Sequence, residues 1–365
     1  MAYYRSIRDL DWPLLLITLA ISAMGILQIY SATHDTPAWR DAWWKQILFV
    51  SAGLVAMWVV TQIDYHTLMG QVPILYGLSI VTLIGTFLVG TTVFGSRRWI
   101  PLFGGFRFQT SEFVKLVIIL LVARYIAEQK SERLELRDLL RLGGLVGLPM
   151  LLVMKQPDLG TSLTYLPILA IGVFLSGMRW QYWVAIGLIA LLVLPLGWHF
   201  FLKDYQKARL VTFLDPGQDP RGSGYQVIQS KIAVGSGGMW GKGVTRGSQT
   251  QLRFLPVPHT DFIFSAFGEE HGFVGVVVVL GLYFLLLMQI VQNAQQAPDR
   301  AGMVICMGVA ALMLFHVFVN VGMVVGRMPV TGIPLPLMSS GGSSTLSMFM
   351  MLGLVNNVRL RRFVN

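Results

Sequence analysis

Among the few ionisable side chains of this sequence, Asp261 is the best placed to move a proton. It lies in Phe254-Leu-Pro-Val-Pro-His-Thr-Asp-Phe-Ile-Phe264, where two prolines end a polar stretch, Thr260 can cap a helix, and Phe262, Phe264 and Phe267 begin an apolar one. The positive end of a helix favours an ionised carboxylate at that point. Such a residue serves either as a capping acid or as a general base at the edge of a membrane, and the pattern alone leaves both open. His259, two residues earlier, is a candidate hydrogen-bond partner.

Other groups suit the handling of an anion. In Thr110-Ser-Glu-Phe-Val-Lys115, Thr110 or Ser111 fits as an N-cap, and Glu112 in the first turn suits the helix dipole. Glu112 and Lys115 are three apart and share a helix face, so they can pair. The pair either eases entry into the bilayer or sets Lys115 toward an internal cavity, since ionisable groups at membrane depth are costly. Gln156-Pro-Asp-Leu-Gly160 reads as a tight turn in which Asp158 is an N-cap in preference to a metal ligand. His316 and Asn320, four apart, read as polar glue between helices. Gly235-Ser-Gly-Gly-Met-Trp-Gly-Lys-Gly243 fails as a Walker loop, because Ser236 and Gly243 break the required spacing. It remains either an anion-binding nest or a set of turns. Cys306 is the only cysteine, which excludes an intrachain disulfide and a Cys-based metal site.

The elements that must position these groups are set by composition. Of 365 residues, 54% are hydrophobic and 13% charged, and the mean hydropathy is +0.63. A soluble domain carries about 25% charged residues, so both a soluble fold and disorder are excluded. Apolar runs fall near 12–33, 43–62, 69–90, 112–127, 139–154, 159–176, 180–202, 272–293, 302–325 and 339–358. The expectation is an all-α polytopic integral membrane protein of about ten spans of about 20 residues each. It is a single domain over 1–365, with one large extracytoplasmic loop at 203–271 between helices 7 and 8. Pro334-Leu-Pro-Leu-Met-Ser-Ser-Gly-Gly-Ser343 must break a helix and line a cleft. Sorting the short loops into two alternating sets puts twelve basic residues on the side of the termini and six opposite. Both termini are therefore expected in the cytoplasm. The same asymmetry accounts for much of the +10 net charge without nucleic acid. The eight Lys and Arg residues of the long loop suit an anionic ligand or lipid head groups.

Three segments carry a wider likeness. Gly224-Tyr-Gln-Val-Ile-Gln-Ser-Lys-Ile-Ala-Val-Gly-Ser-Gly-Gly238, Gly241-Lys-Gly243 and His259-Thr-Asp-Phe-Ile-Phe264 closely resemble the SEDS family of RodA, FtsW and SpoVE. Arg98-Trp99, Phe108-Gln109 with Ser111-Glu112, Gln156–Gly160, Arg209 before Leu214-Asp-Pro216, and Gly341-Gly-Ser343 extend the resemblance over nearly the whole chain. Lys231, Gly241-Lys-Gly243 and Gln249-Thr-Gln251 look like the elongation-type members. Ser340, Thr110 and Val257 depart from the usual Tyr, Pro and Glu.

The resemblance implies a peptidoglycan glycosyltransferase of the bacterial inner membrane that polymerises lipid II at its outer face. It implies a class B penicillin-binding transpeptidase and rod-shape (elongasome) membrane proteins as partners, within membrane lipid. It further implies Asp261 as catalytic base, with Lys115, Glu112, Arg98, Arg209, Gln109, Asp158, His259, Lys242 and Ser343 binding substrate. The residues suit that chemistry. Hydrolytic glycosidases use two carboxylates, one to protonate the leaving oxygen, whereas undecaprenyl pyrophosphate already leaves well, so one base and several cations suffice. No tightly bound cofactor is expected. A divalent cation, Mg or Mn, can assist, although no ligand cluster requires one. A lipid II flippase and a non-catalytic scaffold for the transpeptidase are the alternatives; the first leaves Asp261 without a purpose, and the second leaves the basic loop unexplained.

Overall fold

In the computed structural model the apolar runs become helices. It describes residues 10–93, 96–101, 107–129, 134–178, 204–215 and 222–362, with isolated positions at 180–191, 217 and 219. The span expected at 180–202 lies largely outside the described residues. In chain order the helices are α1 (Trp12–Thr33), α2 (Ala42–Gln62), α3 (Tyr65–Gly70), α4 (Val72–Val89), α5 (Thr110–Ala127), α6 (Leu136–Lys155), α7 (Leu159–Leu163), α8 (Tyr165–Leu175), α9 (Asp204–Leu214), α10 (Ser223–Ser236), α11 (Ser248–Gln251), α12 (Ile263–Gln295), α13 (Arg300–Val324) and α14 (Gly342–Leu360).

Five of them, α1, α2, α4, α12 and α13, are long and apolar enough to cross a membrane. Helix α5 carries Glu112, Lys115 and Arg124, and α14 begins Gly-Ser-Ser-Thr. Both are nonetheless largely buried, so Glu112 and Lys115 of α5 and Ser343 and Thr345 of α14 face the protein interior. Helices α5, α13 and α14 form the centre, with α2 against α14, α12 and α8 against α13, and α1 against α12. The periphery is apolar and open: Ile74, Leu78, Val81 and Leu88 of α4 are 57–82% exposed. Such a surface fits lipid and not water. The protein is mostly helical and multi-pass.

Two features depart from the sequence reading. A small antiparallel sheet joins α4 to α5, its strands β1 (Thr91–Val93), β2 (Ser96–Pro101) and β3 (Arg107–Phe108) in the order β1-β2-β3. Thr91 pairs with Trp99 and Ile100 with Phe108. The fold is thus not purely helical: β-branched and aromatic residues favour pairing over a coil here. The run expected to start at 272 starts at Ile263, because α12 continues through a break at Gly272 (φ 65°, ψ −166°) that only glycine tolerates readily.

Candidate active site

The sheet delivers Arg98. Its neighbour Arg97 is exposed, while Arg98 turns inward and donates from Nη1 to Asp158 Oδ2 at 2.9 Å. Asp158 is the N-cap of α7, accepting from the Thr161 amide at 3.2 Å and the Thr161 hydroxyl at 2.9 Å. Gln109 Nε2 donates to the same Oδ2 at 3.1 Å and to the Ser111 hydroxyl at 3.2 Å. The Gln109 amide in turn donates to Ser343 Oγ at 2.9 Å. Gln109, not Thr110 or Ser111, is therefore the residue that precedes α5, and it makes no side-chain cap, because its amide is spent on Asp158. Arg98, Gln109, Asp158 and Ser343 thus meet in three dimensions although they span 246 positions of sequence.

Asp261 faces this group. Burial pushes its carboxyl above the ordinary value of 3.8, against the charges of Arg98 and Arg209 and a hydrogen bond from Thr260, while Asp158 pushes it further up. A carboxylate raised toward the working pH is a better general base than one at its ordinary value. The segment that carries it is held by its backbone. Asn320 Nδ2 donates to the Asp261 carbonyl at 3.0 Å and to the Ile333 carbonyl at 2.8 Å. Ser339 Oγ donates to the Thr260 carbonyl at 2.7 Å, and the Ser340 amide to the His259 carbonyl at 2.9 Å. Gly332 has φ 72°, and a Cβ there would stand 3.5 Å from Asp261 Oδ2. Thr260 is not a helix cap: α12 starts three residues later, with Phe262 at its N-cap and no side-chain bond. The broken segment 325–341 thus lines the cleft, as Pro334 and Pro336 lead one to expect. The roles of Asn320 and Ser339 escape the sequence, because Asn320 reads as ordinary polar glue until Asp261 is placed against it.

Lys115 and Glu112 pair at 2.8 Å with 0% and 3% of their side chains exposed. Ser347 Oγ donates to the same Glu112 oxygen at 3.3 Å. The Lys115 ammonium is sealed within the helices, six residues along the chain from Gln109. His259 is 8% exposed, and burial lowers its pKa to about 4, so the ring is neutral.

The glycine-rich run does not form an anion nest. Lys242 and Gly243 donate their amides to the Glu269 and Glu270 carbonyls at 3.1 and 2.9 Å. In return Phe273 and Val274 donate to the Gly238 and Met239 carbonyls at 2.8 and 3.1 Å. The break at Gly272 frees backbone groups of α12, and the glycines let a second backbone come close enough to satisfy them. A Cβ on Gly241 would stand 2.2 Å from the Glu270 carbonyl oxygen. Lys242 itself donates to Glu269, Ser236 and Ser248, each at 2.8 Å. It is not among the groups gathered around Asp158. Among the described residues no set of three or more His, Cys, Asp or Glu is arranged to hold a metal.

Comparison with known proteins agrees with this architecture. Residues 12–362 match the family model of cell cycle proteins that covers FtsW, RodA and SpoVE. The chain is 40% identical over 354 residues to the peptidoglycan glycosyltransferase MrdB of Escherichia coli K12, covering 97% of this chain and 94% of that one. A chain solved in work on the structural coordination of polymerization and crosslinking by a peptidoglycan synthase complex superposes with a TM-score of 0.84 and 35% identity, over 98% of this chain and 99% of that chain. RodA of Thermus thermophilus, a rod shape determining protein, gives 0.72 and 30%, over 97% and 98%. By its sequence and by its fold, the chain belongs to the FtsW/RodA/SpoVE family.

Proposed function

We propose that this chain, a peptidoglycan glycosyltransferase like the relatives it matches, polymerises lipid II with Asp261 as general base. The observation that carries the reading is a part-exposed aspartate in the field of two arginines, with its main chain fixed from both sides and a pKa raised by burial. Asp261 takes the proton from the acceptor sugar's 4-hydroxyl as that oxygen attacks the anomeric carbon, and the carbon–pyrophosphate bond breaks. A single displacement inverts the α-linked donor to a β-linked product, so one carboxylate is enough. Arg98 and Arg209 neutralise the charge that develops on pyrophosphate. Gln109, Asp158 and Ser343 hold Arg98 in place, and the buried Glu112–Lys115 pair supports them from within α5. A divalent cation, Mg or Mn, arriving with the pyrophosphate adds to the positive charge. Ten spans with both termini in the cytoplasm, as the basic asymmetry suggests, put the cleft and the loop 203–271 outside, where a class B penicillin-binding transpeptidase and rod-shape proteins can reach them.

The test is polymerisation of labelled lipid II by purified protein, alone and with its transpeptidase. Asp261→Asn keeps the shape but cannot accept the proton. We expect a loss of about 10² to 10⁴ in rate, the usual contribution of a positioned base, with no change in thermal stability large enough to account for it. Near-wild-type glycan output from folded Asp261→Asn would refute the assignment.

A further inference from the structure

Trp39 lies in the turn that joins α1 to α2, and nothing above gives it a role. Its ring packs on His259 with centroids 4.5 Å apart and planes at 47°. The loops around it are tied together: Arg253 Nη2 donates to the Asp35 carbonyl at 3.0 Å, and Gln46 of α2 receives the Gly341 amide at 3.2 Å. Trp39 therefore stands where the 34–41, 253–261 and 325–341 segments converge, against a histidine two residues along the chain from Asp261. It remains 37% exposed.

The ordinary account of such a residue is the aromatic belt that anchors membrane proteins at the interface. Trp44 meets that description: it is 53% exposed, on the first turn of α2, edge-on to Trp43. Trp39 does not. Its ring rests on a histidine of the reaction segment. Beneath it, His259 Nδ1 is buried with no partner among the described residues. A buried polar atom left unsatisfied is costly, so the arrangement favours a ligand that brings a hydrogen-bonding group. An aromatic face beside an unspent polar atom suits a pyranose ring, which is apolar on its C–H faces and polar around its edge.

We propose that Trp39 and His259 form a saccharide subsite that holds the growing glycan next to Asp261, Trp39 by stacking on the sugar face and His259 by hydrogen bonding. The ligand class is a β-1,4-linked N-acetylated aminosugar chain, and the inference rests on the glycosyltransferase reading above. Trp39 is a positioning residue: it orients the acceptor and takes no part in bond making.

The experiment titrates chitotetraose, a soluble β-1,4-linked N-acetylglucosamine oligomer, against the purified full-length protein and follows lipid II polymerisation in parallel. Trp39→Leu removes the aromatic face and keeps an apolar side chain, Trp39→Tyr restores a ring, and Trp44→Ala controls for the belt. We expect Trp39→Leu to weaken chitotetraose binding and raise KM for lipid II by roughly five- to tenfold, the order of one aromatic stack. We expect kcat within about twofold of wild type, Trp39→Tyr close to wild type, and Trp44→Ala unchanged in binding. No oligomer binding by wild type, equal binding by wild type and Trp39→Leu, a loss confined to kcat, or an equal loss in Trp44→Ala would each overturn the subsite. If wild type binds the oligomer through Trp39 but makes no glycan, the subsite stands and the glycosyltransferase reading fails.

Discussion

Two carboxylates flank the start of α12, Asp261 just before it and Glu269 within its first two turns, and the structure treats them in opposite ways. Glu269 is fully buried and saturated: Lys242 Nζ, the Gln249 and Thr250 amides and the Thr250 hydroxyl all donate to it at 2.8–3.0 Å. Asp261, eight residues earlier, has Thr260 and the field of two arginines, and the residue is only part-buried. An acid whose acceptor sites are all filled is held in its ionised form and has no capacity for a proton. An acid with spare capacity, raised by burial, is ready to take one. The difference separates an anchor for the loop from a centre for chemistry, although both look in the sequence like acids near a helix start.

After Asp261 itself, changing the cation beside it should have the largest effect. Arg98 holds Asp158 and also lowers the pKa of Asp261, so Arg98→Ala removes charge from the leaving pyrophosphate and from the base. We expect polymerisation to fall by about 10² to 10³, as when one preorganised donor to developing charge is lost. The acid limb of the pH–rate profile should move to higher pH, because the charge that favoured ionised Asp261 is gone. A fall in rate with an unmoved limb would mean that Arg98 serves substrate binding alone.

The same contrast explains how much of the molecule could be read from sequence. Most described helices fall within a few residues of their apolar runs, because hydrophobic length is a strong and local signal. Asp158 as an N-cap was equally legible, since capping depends on residues three apart. What was hidden is non-local. The break at Gly272 can be explained only once the backbone of Gly238–Gly243 lies against it, and that pairing turned an apparent anion loop into a structural splice. The inward turn of Arg98 depends on strands too short for periodicity to reveal. Asn320 is an unremarkable helix residue until Asp261 is placed against it, 59 positions away.

On the Glu269 side the expected effect is on folding. Glu269→Gln keeps the volume but withdraws the charge that four donors share, and hydrogen bonds to charged groups contribute about 1.5–3 kcal/mol. Lys242 is 29% exposed and can turn partly to water, which holds the cost to the lower end. The variant should lose thermal stability and become easier to cleave between 236 and 253, while folded protein keeps most of its activity. A Glu269→Gln protein that is stable but inactive would erase the distinction between anchor and centre, because it would place Glu269 in the reaction.

The smallest effect, and the most discriminating, is in the pH dependence of stability. The pKa of Asp261 is raised in the folded protein, so the folded state binds that proton more tightly than the unfolded chain does. Its contribution to stability is therefore present below the ordinary value of 3.8 and is lost as pH rises through the folded pKa. Activity runs the other way, since only the ionised form can accept a proton. His259 has the opposite linkage: its pKa falls from 6.5 to about 4, so its contribution is present above 6.5 and is lost as pH falls toward 4. The two overlap in the raw melting curve. Subtracting the melting temperature of Asp261→Asn from that of wild type at each pH cancels His259 and leaves Asp261. The difference should decline as pH rises over the same interval in which polymerisation by wild type increases. If the difference is flat while activity still rises, the titrating base is another group, and Asp261 is only a neighbour of the chemistry.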